Sequence, residues 1–379
     1  MNGKAGEAAD PFRVTPWMNW LGRWTCDRPR LMRRLAAFEN RLLAERLSVI
    51  GIEAPIWITG LARSGTTILL EILAAHPDVA TQYYRDFPPV LTPWLWNRFL
   101  EVAGTRRERP VERAHRDRIM VTADSPEAFE EPLWMNFFPC LHDPAVSQVL
   151  DEATDDPEFE YFLRSHVRKL LLVRSRERYL AKANYNATRL LYLLRVFNDA
   201  RFVVPVREPL AHVASLMKQH RLFCEGQARH PEAVQHLART GHFEFGRDRR
   251  PVHCGDDAAV QEMLALRDAG REAEAWAIQW AQVYGLIARQ LDSDAALREA
   301  VLVVRYEDLC GDPGGQMRRI LDHCRLEPVA AVTESAKRRL SPPSYYRPKF
   351  TAEERRAILD RTSAVAERFG YRGSAAAAG

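Results

Sequence analysis

One short stretch of this sequence has the composition of an anion-binding loop. Residues 60–67 read Gly-Leu-Ala-Arg-Ser-Gly-Thr-Thr and follow a short apolar run. In a glycine-rich turn between a strand and a helix, backbone N–H groups converge on phosphate oxygens and the helix N-terminus adds partial positive charge. The loop of ATP- and GTP-binding proteins carries a lysine after its second glycine. Here Thr66 occupies that position and the cation is Arg63, so the pattern favours an anion other than a magnesium-bound nucleoside triphosphate. The alternative is a strand-to-helix turn without a ligand.

A second candidate anion site comprises Arg207 and Ser215. Arg207 follows an apolar run at 201–206, and Ser215 lies in the helical pattern after it. Ligands of open α/β sheets bind outside the carboxyl ends of the strands, so a guanidinium and a hydroxyl converging there suit a phosphate monoester. The alternative is a surface pair of Arg207 with Glu208 and an ordinary helical serine. Tyr306, at the end of another strand pattern, is in a position to pack on an adenine ring.

The elements that must position these residues alternate between strands and helices. Apolar runs with the length of buried strands occur at 54–59, 178–183, 201–206 and 300–305. Helical patterns follow three of them, at 66–76, 209–220 and 315–324. This alternation predicts an α/β fold with a central parallel sheet that helices cover on both faces.

The remaining segments define the expected domain organisation. We expect one domain at 54–370, with an insertion at 88–150 and a polar loop or lid at 222–268. Residues 1–53 are expected to form an irregular and helical segment whose aromatic side chains pack on the core. The tail at 371–379 is of low complexity and is expected to be disordered.

Composition narrows the class of protein. The 379 residues include 54 Lys and Arg and 50 Asp and Glu, a formal net charge of +4, which excludes a polybasic nucleic-acid coat and an acidic tail. The six cysteines form no CxxC pair and lack zinc-ligand spacing, so we expect reduced thiols and no metal site. Neither a membrane-spanning stretch nor a secretory signal is recognisable, so we expect a cytoplasmic protein.

Taken in order, the three motifs resemble those of the sulfotransferases that use 3′-phosphoadenosine 5′-phosphosulfate (PAPS). The loop Arg63-Ser64-Gly65-Thr66-Thr67 resembles the family's 5′-phosphosulfate loop, and Arg207 with Ser215 resembles its 3′-phosphate pair. The segment 305–309 resembles its late strand-turn signature, and 344–350, with Lys349, resembles the basic segment that closes over the nucleotide in some members. The resemblance covers about residues 54–370. It is closest to bacterial members, and in the loop to the tyrosylprotein and carbohydrate enzymes, which carry an arginine before Ser-Gly-Thr-Thr.

This resemblance implies a fold, a reaction and residue roles. The implied fold is a P-loop-like parallel sheet flanked by helices on both faces, with helical insertions. The implied reaction moves a sulfuryl group from PAPS to a hydroxyl or amine acceptor without a metal and leaves 3′-phosphoadenosine 5′-phosphate. Arg63 would stabilise charge on the bridging oxygen, and Lys182 matches a lysine near the sulfate, although it could also be a solvated strand end. Thr66 and Thr67 would contribute hydroxyl and N–H groups.

The general base is less defined by the sequence. Related tyrosylprotein enzymes place a glutamate a few residues beyond a His-Pro pair; His76-Pro77 is present here, but Tyr84 falls at the glutamate position. Asp86 is the nearest carboxylate and the first candidate. The other candidates are His115, Glu130, Glu131 and His142.

The acceptor and two competing functions stay open at this stage. Aromatic residues at 84–100 and 125–142 are expected to form an acceptor pocket for a small molecule or a glycan, not for a nucleic acid. The oligomeric state is not predicted. A P-loop kinase-like phosphotransferase would need the lysine that Thr66 replaces, and a non-catalytic nucleotide-binding module of the same fold is the third reading.

Overall fold

A computed structural model describes residues 10–104, 110–113, 120–341 and 349–371 of the chain. The strands are β1 Ile56–Ile58, β2 Val79–Ala80, β3 Val111–Glu112, β4 Met120–Val121, β5 Arg178–Lys182, β6 Arg201–Val206 and β7 Val301–Arg305. The helices are α1 Pro16–Thr25, α2 Pro29–Leu42, α3 Ala44–Ser48, α4 Thr66–Leu73, α5 Pro93–Ala103, α6 Glu131–Phe137, α7 Pro157–Arg174, α8 Leu190–Val196, α9 Pro209–Arg229, α10 Glu232–Arg239, α11 Asp257–Asp268, α12 Glu272–Ser293, α13 Ala295–Ala300, α14 Tyr306–Gly311, α15 Pro313–His323, α16 Ala330–Arg339 and α17 Ala352–Arg368.

The central sheet has five parallel strands in the order β2-β5-β1-β6-β7. Ile58 at the end of β1 pairs with Lys182 on one side and Val203 on the other. The carboxyl ends of β1, β5 and β6 therefore meet at one edge, which brings the loop after β1, Lys182 and Arg207 to the same side of the molecule. The predicted parallel sheet is confirmed.

Helices pack on both faces of this sheet, as the apolar strand sequences require. Trp57 points into a core with Tyr284 of α12, whereas Ile58 points into a separate core with Leu69 of α4 and Ile320 of α15. β3 and β4 form a separate antiparallel pair within the predicted insertion.

Two regions of the domain differ from the sequence expectation. Residues 16–25, expected to be irregular, form α1, which begins at Pro16 after the capping side chain of Thr15. Of the N-terminal aromatic residues, Phe12 packs in the core as expected, but the Trp side chains of α1 are exposed. The segment 222–268 contains the end of α9, α10 and α11, with Phe243 and Phe245 buried, and so packs as a wall of the domain.

The structure describes the end of the chain only as far as Tyr371. Tyr371, expected to begin a disordered tail, donates a hydrogen bond to Glu307 over 2.6 Å. The rest of that tail, 372–379, lies outside the described residues.

Among the helices that the structure describes, none is both long and apolar enough to cross a membrane.

Candidate active site

The loop between β1 and α4 has the geometry of an anion cradle. Gly60 and Gly65 adopt left-handed backbone with φ of 133° and 107°, and Arg63 adopts φ of 73°, a conformation uncommon for a residue with a side chain. The hydroxyl of Ser64 donates to the carbonyl of Leu61 over 2.8 Å, which closes the turn. The side chain of Ser64 is therefore directed into the protein and contributes to the loop by holding its shape.

The residues predicted to bind a nucleotide lie together around this loop. Arg207 donates to the carbonyl of Arg63 over 3.3 Å, and its guanidinium lies 5.0 Å from the centre of the Tyr306 ring. The Nε of Arg63 lies 3.5 Å from the hydroxyl of Ser215. Tyr306 packs so closely on the loop that a Cβ added to Gly65 would lie 2.8 Å from its ring. The predicted Arg207, Ser215 and Tyr306 thus converge on the predicted loop.

On the other side of the loop, a chain of hydrogen bonds joins α4 to the segment after α10. The hydroxyl of Thr66 donates to Asn184 over 3.3 Å, and the amide of Asn184 donates to Glu244 over 2.8 Å. His242 Nδ1 lies 3.4 Å from the second oxygen of Glu244. These groups line a narrow cavity at the carboxyl edge of the sheet, together with Ala62, Arg63, Thr67, Arg113, Lys182, Phe223 and Phe245.

The charged groups in and around this cavity are partly or fully buried and carry both signs. Burial lowers the pKa of the Lys182 ammonium, and the carboxylates of Glu127 and Glu244 partly oppose that effect. Burial would raise the pKa of Glu244, but the hydrogen bond and charge of His242 outweigh it and lower that pKa to about 2. The pKa of Glu127 is likewise lowered against its burial, by Arg113, Lys182 and His242. Both carboxylates are ionised near neutral pH, so the cavity holds fixed charges of both signs.

The structure gives Asp86 a different position from the one expected of a base. Its carboxylate accepts hydrogen bonds from the backbone N–H of Tyr83 over 2.7 Å and from Asn97 over 2.9 Å, and it forms an ion pair with Arg174. Asp86 is 1% exposed and is not among the residues that line the cavity. This is the environment of a structural carboxylate, and the interpretation of Asp86 as the base is not retained.

The other three described candidates for the base also lie in buried networks. Glu131 forms an ion pair with Arg189 over 2.8 Å and a hydrogen bond with Nε2 of His142 over 2.7 Å. Glu130 accepts hydrogen bonds from Trp57 over 2.8 Å and from Asn186 over 2.7 Å. None of these carboxylates or imidazoles lines the cavity beside Arg63.

Two predicted positions have little structural context. His115 and the segment 342–348 lie outside the described residues. Lys349, predicted to contact the nucleotide, is exposed directly after that segment. The nucleotide contact of Lys349 therefore stays a prediction.

Five residues in or next to this site are not predicted from the sequence, namely Arg113, Glu127, Asn184, His242 and Glu244. Asn184 follows Lys182 by two residues at the end of β5, which is a signal that could have been used. His242 and Glu244 lie in the polar segment that is expected to form a loop or lid. They flank the buried Phe243, and this alternation of polar and apolar residues is the local signal that could have indicated them.

A larger cavity lies on the far side of Phe243. It has a volume of about 380 Å³, and its walls come partly from the two segments expected to form an acceptor pocket, at Pro88, Val90, Leu91, Pro132, Met135 and Asn136. The aromatic residues expected to line that pocket are not among its walls, and Phe87 and Trp134 are packed in the core instead. Since Phe243 lies between His242 and Glu244 in the chain, the two cavities are neighbours.

Comparisons with known proteins point to one family. Residues 55–242 match a model described as the Sulfotransferase family. The chain is 24% identical over 341 residues to proteins of Mycobacterium bovis and Mycobacterium tuberculosis named omega-hydroxy-beta-dihydromenaquinone-9 sulfotransferase Stf3, a match that covers 84% of this chain and 76% of theirs. The crystal structure of sulfotransferase STF9 from Mycobacterium avium shares the fold, with a TM-score of 0.50 and 16% identity over 95% of this chain and 87% of that one.

A parallel sheet with a cationic loop at its carboxyl edge is suited to binding an anionic group. The matches specify which group, since the chain belongs to the sulfotransferase family. The family resemblance inferred from the three sequence motifs is confirmed, and the activity is sulfuryl transfer.

Proposed function

We propose that this enzyme uses PAPS as its sulfuryl donor and transfers the group to a hydroxyl of a small molecule with an apolar part. The observation that carries the donor is the convergence of Arg207, Ser215 and Tyr306 on the loop at Arg63. PAPS carries about four negative charges, two of them on its 3′-phosphate near neutral pH. A site for it therefore needs cations in two places.

The chain provides those two places. The loop N–H groups, Arg63 and the N-terminus of α4 would hold the 5′-phosphosulfate, because a helix N-terminus and a guanidinium both stabilise an anion. Arg207 and Ser215 would hold the 3′-phosphate, and Tyr306, already in contact with Arg207, would pack on the adenine. The arginines and Lys182 supply the positive charge that magnesium supplies in phosphoryl transfer, so the proposal requires no metal.

For the transfer step we propose His242 as the general base. Its Nδ1 faces Glu244 at 3.4 Å. A hydrogen bond from Nδ1 to that carboxylate would orient the imidazole to take the proton of the acceptor's hydroxyl. As the acceptor oxygen bonds to sulfur, the bond from sulfur to the bridging phosphate oxygen breaks, and Arg63 and Lys182 stabilise the charge that appears on that oxygen.

The acceptor proposal rests on the cavity behind Phe243. Its apolar walls include Met32, Val90 and Leu91, and its 380 Å³ exceeds the roughly 150 Å³ that holds one benzene molecule. Proteins similar to this chain are named for a hydroxylated dihydromenaquinone, which is a lipid alcohol. A hydroxyl on an apolar chain or ring fits this setting better than a glycan. All six cysteines are free thiols, which supports a reducing, cytoplasmic location for the reaction.

The experiment is transfer of labelled sulfate from PAPS to a panel of acceptors, namely a long-chain isoprenoid alcohol, a phenol and an oligosaccharide. We expect labelled product with an apolar alcohol, and unchanged turnover in EDTA. Transfer of label from ATP with magnesium instead would support the kinase-like alternative. Tight binding of 3′-phosphoadenosine 5′-phosphate without transfer to any acceptor would support the non-catalytic module.

A further inference from the structure

Three helices near the N-terminus expose apolar stripes around one groove. The groove has a volume of about 200 Å³ and is lined by Leu21 and Trp24 of α1, Leu35 of α2 and Leu95 and Trp96 of α5, among others. Beyond the groove, each helix continues its apolar stripe onto the surface. We call the surface formed by these three helices the aromatic face.

On α1 the exposed stripe consists of tryptophans. Trp17, Trp20 and Trp24 follow each other at helical spacing, and they are 59%, 55% and 40% exposed. Trp17 and Trp20 stack on each other with ring centres 5.1 Å apart. Three exposed tryptophans on one short helix are costly in water, so this stripe requires a partner that tolerates indole rings.

The other two helices extend the same surface. On α2, Phe38 and Leu42 follow the groove residue Leu35 at intervals of three and seven positions, and both are more than half exposed. On α5, Phe99 and Val102 follow Leu95 at intervals of four and seven positions and are also exposed. Because residues at these intervals share one side of a helix, the stripes on both helices begin at the groove.

The charge around the aromatic face is positive. Residues 12–42 contain exposed arginines at positions 13, 23, 28, 30, 34 and 41. The two acidic residues of that stretch are already paired, Asp27 at the surface with Arg239 over 2.7 Å and the buried Glu39 with Lys169 over 2.7 Å. The arginines therefore leave a net positive field at this surface.

We propose that the aromatic face docks the enzyme on an anionic lipid bilayer. Tryptophan rings with nearby arginines are the combination that binds the headgroup region, where indoles rest at the interface and arginines meet lipid phosphates. A second copy of the chain is a poorer partner, because a symmetric contact between two such faces would bring the same arginines close together.

The groove gives this docking a consequence for catalysis, which rests on the proposed function. Thr25 and Met32 line both the groove and the larger cavity behind Phe243. An apolar acceptor chain leaving a bilayer at the aromatic face would therefore enter the groove directly beside the larger cavity behind Phe243.

The test is sedimentation of the full chain with vesicles of phosphatidylcholine containing about 30 mol% phosphatidylglycerol. We expect binding that weakens in about 0.5 M NaCl. The double variant Trp17→Ala/Trp20→Ala should bind these vesicles at least about tenfold more weakly, because it removes two interfacial side chains. Both residues are mostly exposed, so the variant should keep its melting temperature. Tyr161→Ala, an equally exposed aromatic on α7, is the control and should bind like the unmodified chain.

Two outcomes would overturn the proposal. One is absence of binding to the anionic vesicles, or binding that the double tryptophan variant leaves unchanged. The other is a dimer in light scattering that the double variant converts to a monomer without any vesicle binding, which would assign the face to a contact between copies. Vesicle binding needs neither PAPS nor turnover, so the docking can fail while the sulfotransferase proposal stands, and the reverse.

Discussion

Arg207 makes two contacts that fix the orientation of its guanidinium. Its guanidinium lies on the Tyr306 ring and donates to the carbonyl of Arg63, so it joins Tyr306 to the loop. Both contacts hold the fork in one orientation, which is what binding of a phosphate monoester by two parallel hydrogen bonds requires.

Replacing Arg207 should therefore distinguish two ligands. Arg207→Ala should weaken PAPS binding by about 3 kcal/mol, the scale of a charged hydrogen-bonded pair. Adenosine 5′-phosphosulfate lacks the 3′-phosphate, so its affinity should change little. Calorimetric titration of both ligands measures this difference. Equal losses for both would mean that Arg207 acts only by supporting the loop.

A second prediction distinguishes His242, the base that we propose from the structure, from Asp86, the base that the sequence predicts. His242→Gln should lower turnover by about 10² to 10⁴-fold, the contribution of a general base, and leave nucleotide affinity nearly unchanged. Asp86→Asn should keep its rate per folded molecule, but it should unfold more easily because Arg174 loses its buried partner.

Steady-state kinetics with PAPS and thermal unfolding of both variants provide the two readouts. Glu244→Gln is the companion variant and should lower turnover less than His242→Gln, since it only positions the imidazole. Normal turnover in His242→Gln combined with loss in Asp86→Asn would reverse the assignment.

At the residue scale, the sequence predicts what is encoded in contiguous segments. The loop at 60–67 and the pair Arg207 and Ser215 were found because each lies in one strand-turn-helix unit. His242 and Glu244 come from a distant part of the chain and line the cavity only through tertiary packing. Asp86 is the carboxylate nearest to the loop helix in the sequence, and no local signal predicts its pairing with Arg174.

At the scale of elements, the buried strands were the easiest to predict. A strand covered on both faces is an uninterrupted apolar run, and β1, β5, β6 and β7 begin and end close to the predicted positions. The helix α7 went unrecognised although Asp156 caps it and Pro157 begins it. The helix α1 is not predicted either, because tryptophans are typical of core residues, whereas these three are exposed.

The loop and α4 act as one unit whose geometry depends on Gly65. Gly65→Ala would introduce a side chain at φ of 107° and 2.8 Å from the Tyr306 ring. Positive-φ strain alone costs about 1–3 kcal/mol, and Tyr306 would have to move. We expect a lower melting temperature and weaker binding of 3′-phosphoadenosine 5′-phosphate.

Gly51→Ala, the same substitution at a glycine outside the loop, is the control for this prediction. A Cβ at Gly51 meets no atom within 4 Å, so this variant should melt and bind like the unmodified chain. If Gly65→Ala also behaves like the unmodified chain, the close packing of the loop on Tyr306 is not required for binding.

At the scale of the whole molecule, the parallel sheet collects side chains from distant segments at one edge. Lys182 ends β5, the loop follows β1 and Arg207 follows β6, so pairing of these strands is sufficient to bring the three together. Beneath this edge, buried carboxylates connect the strands to the insertion. Glu130 accepts hydrogen bonds from Trp57 of β1 and Tyr179 of β5, which ties α6 to the sheet.

Glu130 makes the stability of the whole domain depend on pH. Burial raises its pKa from the ordinary 4.5 to about 7, even though Trp57 and Asn186 donate to it. Between these two values the folded protein binds more protons at Glu130 than the unfolded chain does. The contribution of this group to stability is therefore complete below pH 4.5 and is lost as pH rises through about 7, by at most about 1.4 kcal/mol per pH unit.

Urea unfolding at pH 5 and pH 7.5 tests this dependence. Glu130→Gln cannot titrate, so the fall in unfolding free energy between these pH values should be smaller in the variant than in the unmodified chain. Glu131→Gln is the neighbouring control. Burial would raise the pKa of Glu131, but Arg189 and His142 lower it to about 2, so its contribution is lost only as pH falls below 4.5. Removing it should lower stability at both pH values and leave a fall of the same sign. An equal fall in Glu130→Gln and the unmodified chain would mean that another group titrates in this range.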